Sequence, residues 1–293
     1  MRTPLIWIKI LLGTLLSLSH ARGDTARPLN AGGEPGEPLP AEEIVRRIKR
    51  LLPELEDRYH QIKSNADYQA FLASTEWKQL RAETARLRNF DLESLRSPQE
   101  KTAFWLNVYN ILVKDGILAL RVRGSVQRSI GFFDRAAYQI GGYRFSLEII
   151  EHGLLRDNRL PISALRPTLT ASDPRLRFGV SGVDPRIHFA LNCGARSCPP
   201  IQFYSAEKLE AQLDAATRNF VRGPDVRVEP AKKRVALSQI FRWYAADFGA
   251  DRRDVLRFLT RFVDDETKQY LQENLNAVSI SYLPYDWSLD RRN

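Results

Sequence analysis

The stretch SPQEKTAFWLNVYNILVKDGILAL, residues 97–120, constrains the fold more than any other. Ser97 can cap, Pro98 suits the first turn and Glu100 can close a capping box, which predicts a helix from Ser97 to about Leu120. Its aromatic and aliphatic run is broken by Asn107, Asn110, Lys114 and Asp115. Those groups are costly in lipid, so the segment is not read as a membrane span. Asn107 and Asn110 lie three apart and share a helix face. A buried amide without partners costs about 1–3 kcal/mol. The pair is therefore expected either to hold neighbouring backbone or to line a cleft, where it would position a polar substrate or orient a histidine.

The rest of the chain reads as helices in blocks with hairpins between them, which points to an α+β class rather than regular βαβ winding. The expected architecture is a helical N-terminal part packed on a small, mainly antiparallel sheet with further helices, in a single domain. AEEIVRRIKRLLPELEDRYHQI spaces Ile44, Ile48, Leu51, Leu52 and Leu55 as a helix would, with Pro53 as an expected kink or break. DYQAFLASTEWKQLRAETARL repeats the pattern. AAYQIGGYRFSL is a hairpin signal around Gly141-Gly142, and Ser146 is placed to cap the short helix LEIIEHGLLR. RIHFALN alternates Ile187, Phe189 and Leu191 against His188, Ala190 and Asn192, which predicts a strand with one apolar face. A helix over about Ala206–Val221 follows, then a second hairpin in VRVEPAKKRVAL. Ser238 caps QIFRWYAADFG, and two more helices and a last strand, AVSISYL, precede the tail PYDWSLDRRN.

The N-terminus bears on the compartment. Arg2 precedes an apolar stretch from Ile10 to Leu18 and then Ser19-His20-Ala21, which reads as a secretory signal peptide over residues 1–21. The apolar run is too short to suit an uncleaved anchor. Residues 22–40, rich in Gly and Pro, read as a flexible leader, and residues 41–293 as the α+β domain. Export directs the chain to a periplasm or the exterior, where thiols are oxidised. Without Arg2 and Lys9, 42 of the 44 basic residues remain against 35 acidic ones, leaving about +7. An exported chain with basic groups scattered among acids does not read as a nucleic-acid binder. A small-molecule or cell-envelope ligand is the expected partner, with no membrane span after signal cleavage.

Four histidines and two cysteines narrow the chemistry. His20 falls in the signal peptide and His60 sits among charged residues, leaving His152 and His188. Both cysteines lie in IHFALNCGARSCPP. Four readings are open for Cys193 and Cys198, one of them a reversible dithiol pair, although CxxxxC lacks the tight CxxC geometry of redox folds. In an oxidising compartment, two cysteines this close form a short-loop disulfide by default, with Gly194 giving the loop its freedom. As a free thiol, Cys198, or Cys193 in its place, would be a nucleophile served by His188 as base, with Arg196 nearby and Glu151 orienting an imidazole. Cys193, Cys198, His188 and His152 could also surround zinc, although four residues between the cysteines is at the edge of zinc spacings. No cofactor or metal is otherwise called for.

FWLNVYN, YQIGGYRFSLEIIEHGLLR, DPRIHFALNCGARSCPPI, LSQIFRWYAADFG and ISYLPYDWSL together resemble the family of unknown function DUF547, over roughly residues 97–290. The resemblance implies a shared α+β domain in which these motifs meet around one cleft. It directs attention to Asn107, Asn110, Glu151, His152, His188, Cys193 and Cys198 and transfers no catalytic set. Two functions stand at this point. One is an exported cysteine hydrolase or acyl/amide transferase, with Cys198, Cys193, His188, Glu151 and His152 catalytic and Asn107, Asn110 and Arg196 positioning substrate. The other is a non-catalytic envelope module with a structural Cys193–Cys198 disulfide.

Overall fold

The computed structural model describes residues 27–161, 164–249 and 251–289. The signal peptide expected over residues 1–21 lies outside the described residues, as does the start of the leader. Helices α1 (Ala41–Gln61), α2 (Asn65–Ala73) and α3 (Thr75–Ala85) lead into the long helix α4 (Pro98–Ala119). After the one-turn helix α5 (Phe132–Arg135), β1 (Ala137–Ile140) and β2 (Tyr143–Ser146) form an antiparallel hairpin, with Tyr138 opposite Phe145. Gly141 and Gly142 make its turn with φ of 52° and 86°, the left-handed region that glycine enters freely. A wide helical segment, α6 (Ile149–Leu155), follows at once.

The C-terminal part holds α7 (Leu209–Val221), β3 (Val226–Glu229), β4 (Arg234–Leu237), α8 (Gln239–Trp243), α9 (Ala245–Phe248), α10 (Arg252–Leu259), α11 (Asp265–Glu273) and β5 (Ser279–Tyr282). β4 is central, antiparallel to β3 and parallel to β5. The α+β class holds, with one parallel pairing among the antiparallel ones. Among the described residues, no helix is long and apolar enough to cross a membrane.

Helix α4 starts where its capping box puts it. The Ser97 side chain accepts the Glu100 N–H at 3.1 Å, and the Glu100 carboxylate accepts the Ser97 N–H at 2.7 Å. From Ala103 to Leu118 every residue of this helix is buried. A helix buried on all faces must satisfy each polar side chain inside the protein. Lys114 pairs with Glu56 of α1 at 2.8 Å. Asp115 takes Arg81 of α3 and the Tyr138 hydroxyl of β1, the latter at 2.5 Å. Asn107 exchanges two hydrogen bonds with the backbone of Tyr204, at 2.7 and 2.8 Å. Asn110 donates to the Ala190 carbonyl at 3.0 Å and accepts the Asn192 N–H at 3.0 Å.

Three sequence expectations need correction. Helix α1 runs through Pro53 without a break. Its buried stripe of Ile44, Val45, Ile48, Leu52, Leu55 and Tyr59 continues on both sides, and that burial outweighs the hydrogen bond the proline removes. RIHFALN is not a strand: Pro185–Phe189 forms a 3₁₀ turn. Asp184 caps it by accepting the Arg186 N–H at 2.9 Å and Pro185 occupies its first position, a helix-start pair that overrides the alternation. The alternation itself carried no sidedness, because Ile187, His188, Phe189 and Ala190 are all buried. In the stretch read as a flexible leader, Asn30 is fully buried, donating to the carbonyls of Thr84 and Gln139 and accepting the Gln139 N–H.

Asn110→Ala will leave the Asn192 N–H and the Ala190 carbonyl with weaker partners inside the core. It should lower the free energy of unfolding by about 2 kcal/mol, measured by urea denaturation. A loss below about 0.5 kcal/mol would mean that this amide does not hold the loop.

Candidate functional site

The motifs meet in one cleft of about 670 Å³, walled by residues from Tyr109 on α4, by α6, by the 3₁₀ turn at His188, by the cysteine loop, by α8 and by the tail. The tail reaches it because Ser288 and Leu289 bridge to Ser125 and Ala195, which folds Tyr285 and Trp287 back over the cysteine loop. Trp243, Tyr285 and Trp287 pack on one another there, with ring centroids 4.8–5.4 Å apart.

The wide winding of α6 is visible in its last bond, from the Arg156 N–H to the Glu151 carbonyl five residues back, 2.9 Å. Ser146 supports the start of this segment by accepting the Ile149 N–H at 3.3 Å. The segment delivers Glu148, Glu151 and His152 to the cleft and Arg156 behind it.

The polar groups form a connected array beneath the cleft. Arg156 grips Asp247 through two nitrogens, at 2.6 and 3.1 Å, and Arg159 adds a third contact at 3.1 Å. Burial would raise the Asp247 pKa, but hydrogen bonds from His188 and Arg156 and their charges outweigh it and hold the carboxylate ionised. His188 Nε2 lies 2.8 Å from Asp247 Oδ2 and, facing a carboxylate, must carry the proton. Burial lowers the pKa of His188, against the pull of Asp247. Its ring stacks on Tyr244 at 3.9 Å.

Arg156 also points Nη1 at His152 Nδ1, 2.7 Å away. A guanidinium can only donate, so Nδ1 is the bare nitrogen and the neutral ring carries its proton on Nε2. Burial, with the Arg156 charge, brings the pKa of His152 down to about 4, although Glu151 pulls the other way. Glu151 accepts the Tyr244 hydroxyl at 2.5 Å and the Tyr109 hydroxyl at 2.8 Å. Burial raises its pKa, but attraction to His152 and His188 in their protonated forms, together with the hydrogen bonds from the two phenols, holds it below the usual range. Glu148 is different: burial first, then the charges of Glu151 and Asp134, push its pKa up to about 8. Its carboxyl makes no hydrogen bond among the described residues and stands 3.8 Å from His152 Nε2.

Cys193 and Cys198 are joined in a disulfide, with Cα atoms 6.2 Å apart. This is the short-loop pairing among the sequence readings. It occupies both sulfurs that a thiol nucleophile or a zinc site requires, and no cluster of ligands suited to a metal ion occurs among the described residues. Gly194 sits at φ +85°, and a Cβ there would meet Ile117 Cδ1 at 2.9 Å, so this loop position admits only glycine without rearrangement.

Of the expected site residues, Glu151, His152, His188, Cys193 and Cys198 do line the cleft. Asn107 and Asn110 do not: their amides are spent on the backbone of the 190–204 segment. Arg196 is exposed near Asp286 and lines a separate groove of about 520 Å³ across the disulfide loop. Sequence reasoning missed Glu148, Tyr109, Arg156, Tyr244, Asp247 and Tyr285, although all six lie inside the motifs that carried the family resemblance. The signal available was an Arg four residues after His152 and an acidic residue in RWYAADFG, too common to single out.

Glu148 and His152 give opposite pH slopes to stability. Glu148 binds its proton more tightly when folded, with a pKa near 8 against an ordinary 4.5, so its contribution is full below 4.5 and is lost as pH rises through 8. His152, near 4 against 6.5, resists protonation when folded, so its contribution is present above 6.5 and is lost as pH falls toward 4. Glu148→Gln should therefore match the native chain in thermal midpoint near pH 4.5 and exceed it increasingly up to pH 9, measured by calorimetry. Parallel curves across this range would contradict the shift.

No curated protein and no solved structure matches the chain. The family match is shorter than the resemblance read from the motifs, ending before Tyr244, Asp247 and Tyr285. Over residues 92–221, the span that carries Tyr109, Glu148, Glu151, His152, Arg156, His188 and both cysteines, the chain matches the model of the family described as Protein of unknown function, DUF547.

Proposed function

We propose that the cleft is the active site of a hydrolase that cleaves an acyl or amide bond by general acid–base chemistry, with water rather than a cysteine as nucleophile. One observation carries the reading. The Arg156 guanidinium on His152 Nδ1 leaves a neutral Nε2–H beside the carboxyl of Glu148, which makes no hydrogen bond among the described residues, and both face the cleft. A neutral imidazole N–H can polarise a carbonyl and receive the oxyanion that forms from it. Glu148, protonated at neutral pH, serves as acid, and Glu151, ionised between two phenols, serves as base.

In this reaction the oxygen of water bonds to the carbonyl carbon while its proton passes to Glu151. The carbon–leaving-group bond then breaks as Glu148 protonates the departing nitrogen or oxygen. Return of the proton from Glu151 to Glu148 resets the site. Carbonyl chemistry is favoured over glycoside cleavage because the latter generates no oxyanion for the His152 N–H to receive. Export to a periplasm or the exterior belongs to the same proposal, supported by the Cys193–Cys198 disulfide.

A second reading, a non-catalytic envelope-binding cleft, draws on the aromatic wall of Trp243, Tyr285 and Trp287. Fluorogenic coumarin esters and peptidyl-coumarin amides separate the two. Hydrolysis that falls at least 100-fold in Glu148→Gln and survives in the Cys193→Ser/Cys198→Ser double variant is the expected result. Turnover unaffected by Glu148→Gln would reject the assignment, and failure to turn over any member of the panel would favour the binding reading.

A further inference from the structure

The disulfide faces the same cleft, and its surroundings are unequal. Cys198 Sγ receives the Cys193 backbone N–H at 3.0 Å and lies 3.1 Å from the Tyr285 hydroxyl. Cys193 Sγ lies 3.4 Å from that hydroxyl and has no backbone donor among the described residues. A disulfide sulfur has no proton, so the phenol is the donor, and its single proton favours the nearer sulfur, that of Cys198. Tyr285 keeps that proton, because burial pushes its pKa up, with the charges of Asp225 and Glu151 acting in the same sense. Donors directed at a sulfur stabilise it as a thiolate and make it the better leaving group.

The bond is also not what holds its loop. Asn192 spans the loop by itself, accepting the Gly194 N–H at 2.7 Å and donating to the Pro199 carbonyl at 2.7 Å. The tail pins the loop tip: the Arg196 N–H donates to the Ser288 carbonyl at 2.8 Å, and the Asp286 N–H to Ser197 Oγ at 2.9 Å. A disulfide that closes so short a ring removes little entropy from the unfolded chain. Both cysteines are only partly buried and both line the cleft wall.

We propose that Cys193–Cys198 is an exchangeable disulfide that oxidises a dithiol substrate, with Cys193 Sγ as the sulfur attacked and Cys198 Sγ as the leaving thiolate. A substrate thiolate bonds to Cys193 Sγ and the Cys193–Cys198 bond breaks, its electron pair leaving on Cys198 Sγ. The second substrate thiolate then displaces Cys193 Sγ from the mixed disulfide. The substrate departs as a disulfide, two electrons have passed to the protein, and the two protons of the dithiol end on the cysteines. This activity is independent of the acid–base reading of Glu148 and His152.

The test uses the full chain in two arms. In the first, glutathione is added at neutral pH and the reaction is quenched in acid. Free thiols are then blocked with N-ethylmaleimide and the peptides mapped by mass. The expected adduct is glutathione on Cys193 with Cys198 alkylated, formed about 10-fold more slowly in Tyr285→Phe. Adduct mainly on Cys198, or a rate indifferent to Tyr285→Phe, overturns the assigned polarity. In the second arm, dithiothreitol should be oxidised stoichiometrically by the native chain, with the thermal midpoint shifted by no more than about 3 °C. A bond that resists millimolar dithiothreitol in the folded chain, or a reduced chain that unfolds, overturns the proposal and leaves the disulfide structural.

Discussion

Helix α4 is buried on every side, and the rest of the structure follows from how its polar side chains are satisfied. Apolar burial alone would let such a helix rotate or slide among its neighbours. Four polar residues prevent this, each tied to a different part of the chain: Lys114 to Glu56, Asp115 to Arg81 and Tyr138, Asn107 to Tyr204, and Asn110 to Ala190 and Asn192. Any other register would leave buried amides or charges unpaired, at several kcal/mol in sum. The helix thus fixes the N-terminal helices on one side and the cysteine loop on another. It also carries Tyr109, whose hydroxyl reaches Glu151, so the frame that orders the core ends in the cleft.

The cleft depends on a second buried arrangement, in which cations and anions are matched so that protons are assigned. Arg156 and Arg159 neutralise Asp247, and Asp247 fixes the tautomer of His188. The same Arg156 occupies Nδ1 of His152 and so fixes the other histidine. With two phenols holding Glu151 as an anion, Glu148 is the carboxyl in this group with no hydrogen bond to hold its charge, and burial keeps its proton on. Two carboxyl groups three residues apart therefore stand in opposite protonation states. That separation of acid from base is what a proton-transfer site requires.

Much of this was legible in the sequence where the signal was local. Ser97, Pro98 and Glu100 announce α4, Gly141-Gly142 announces the first hairpin, and Ser146 announces the segment that carries Glu151 and His152. The proximity of the two cysteines anticipates their pairing. What the sequence hid was of two kinds. At His188 two local signals conflict, the alternation and the Asp184-Pro185 start of a turn, and the turn prevails with Ile187, His188 and Phe189 all buried. At Arg156, Tyr244 and Asp247 there is no local signal to read, because each takes its role from a partner 91 or 93 residues away, and Glu148 takes its own from burial beside Glu151 and Asp134; an isolated Glu or Arg on a short helix looks solvated. Asn107 and Asn110 show the converse. Their spacing allowed a cleft or a clamp, and only the placement of Tyr204 and Asn192 across from them decides for the clamp.

The central claim is that Glu148 keeps its proton at neutral pH beside an ionised Glu151. Infrared difference spectroscopy of the folded chain against Glu148→Gln, titrated from pH 5 to 9.5, reads this directly through the C=O stretch of a protonated carboxyl. The account predicts such a band at pH 7 in the native chain, absent from the variant and disappearing with a midpoint near 8. A native chain with no protonated carboxyl above pH 6 would contradict it.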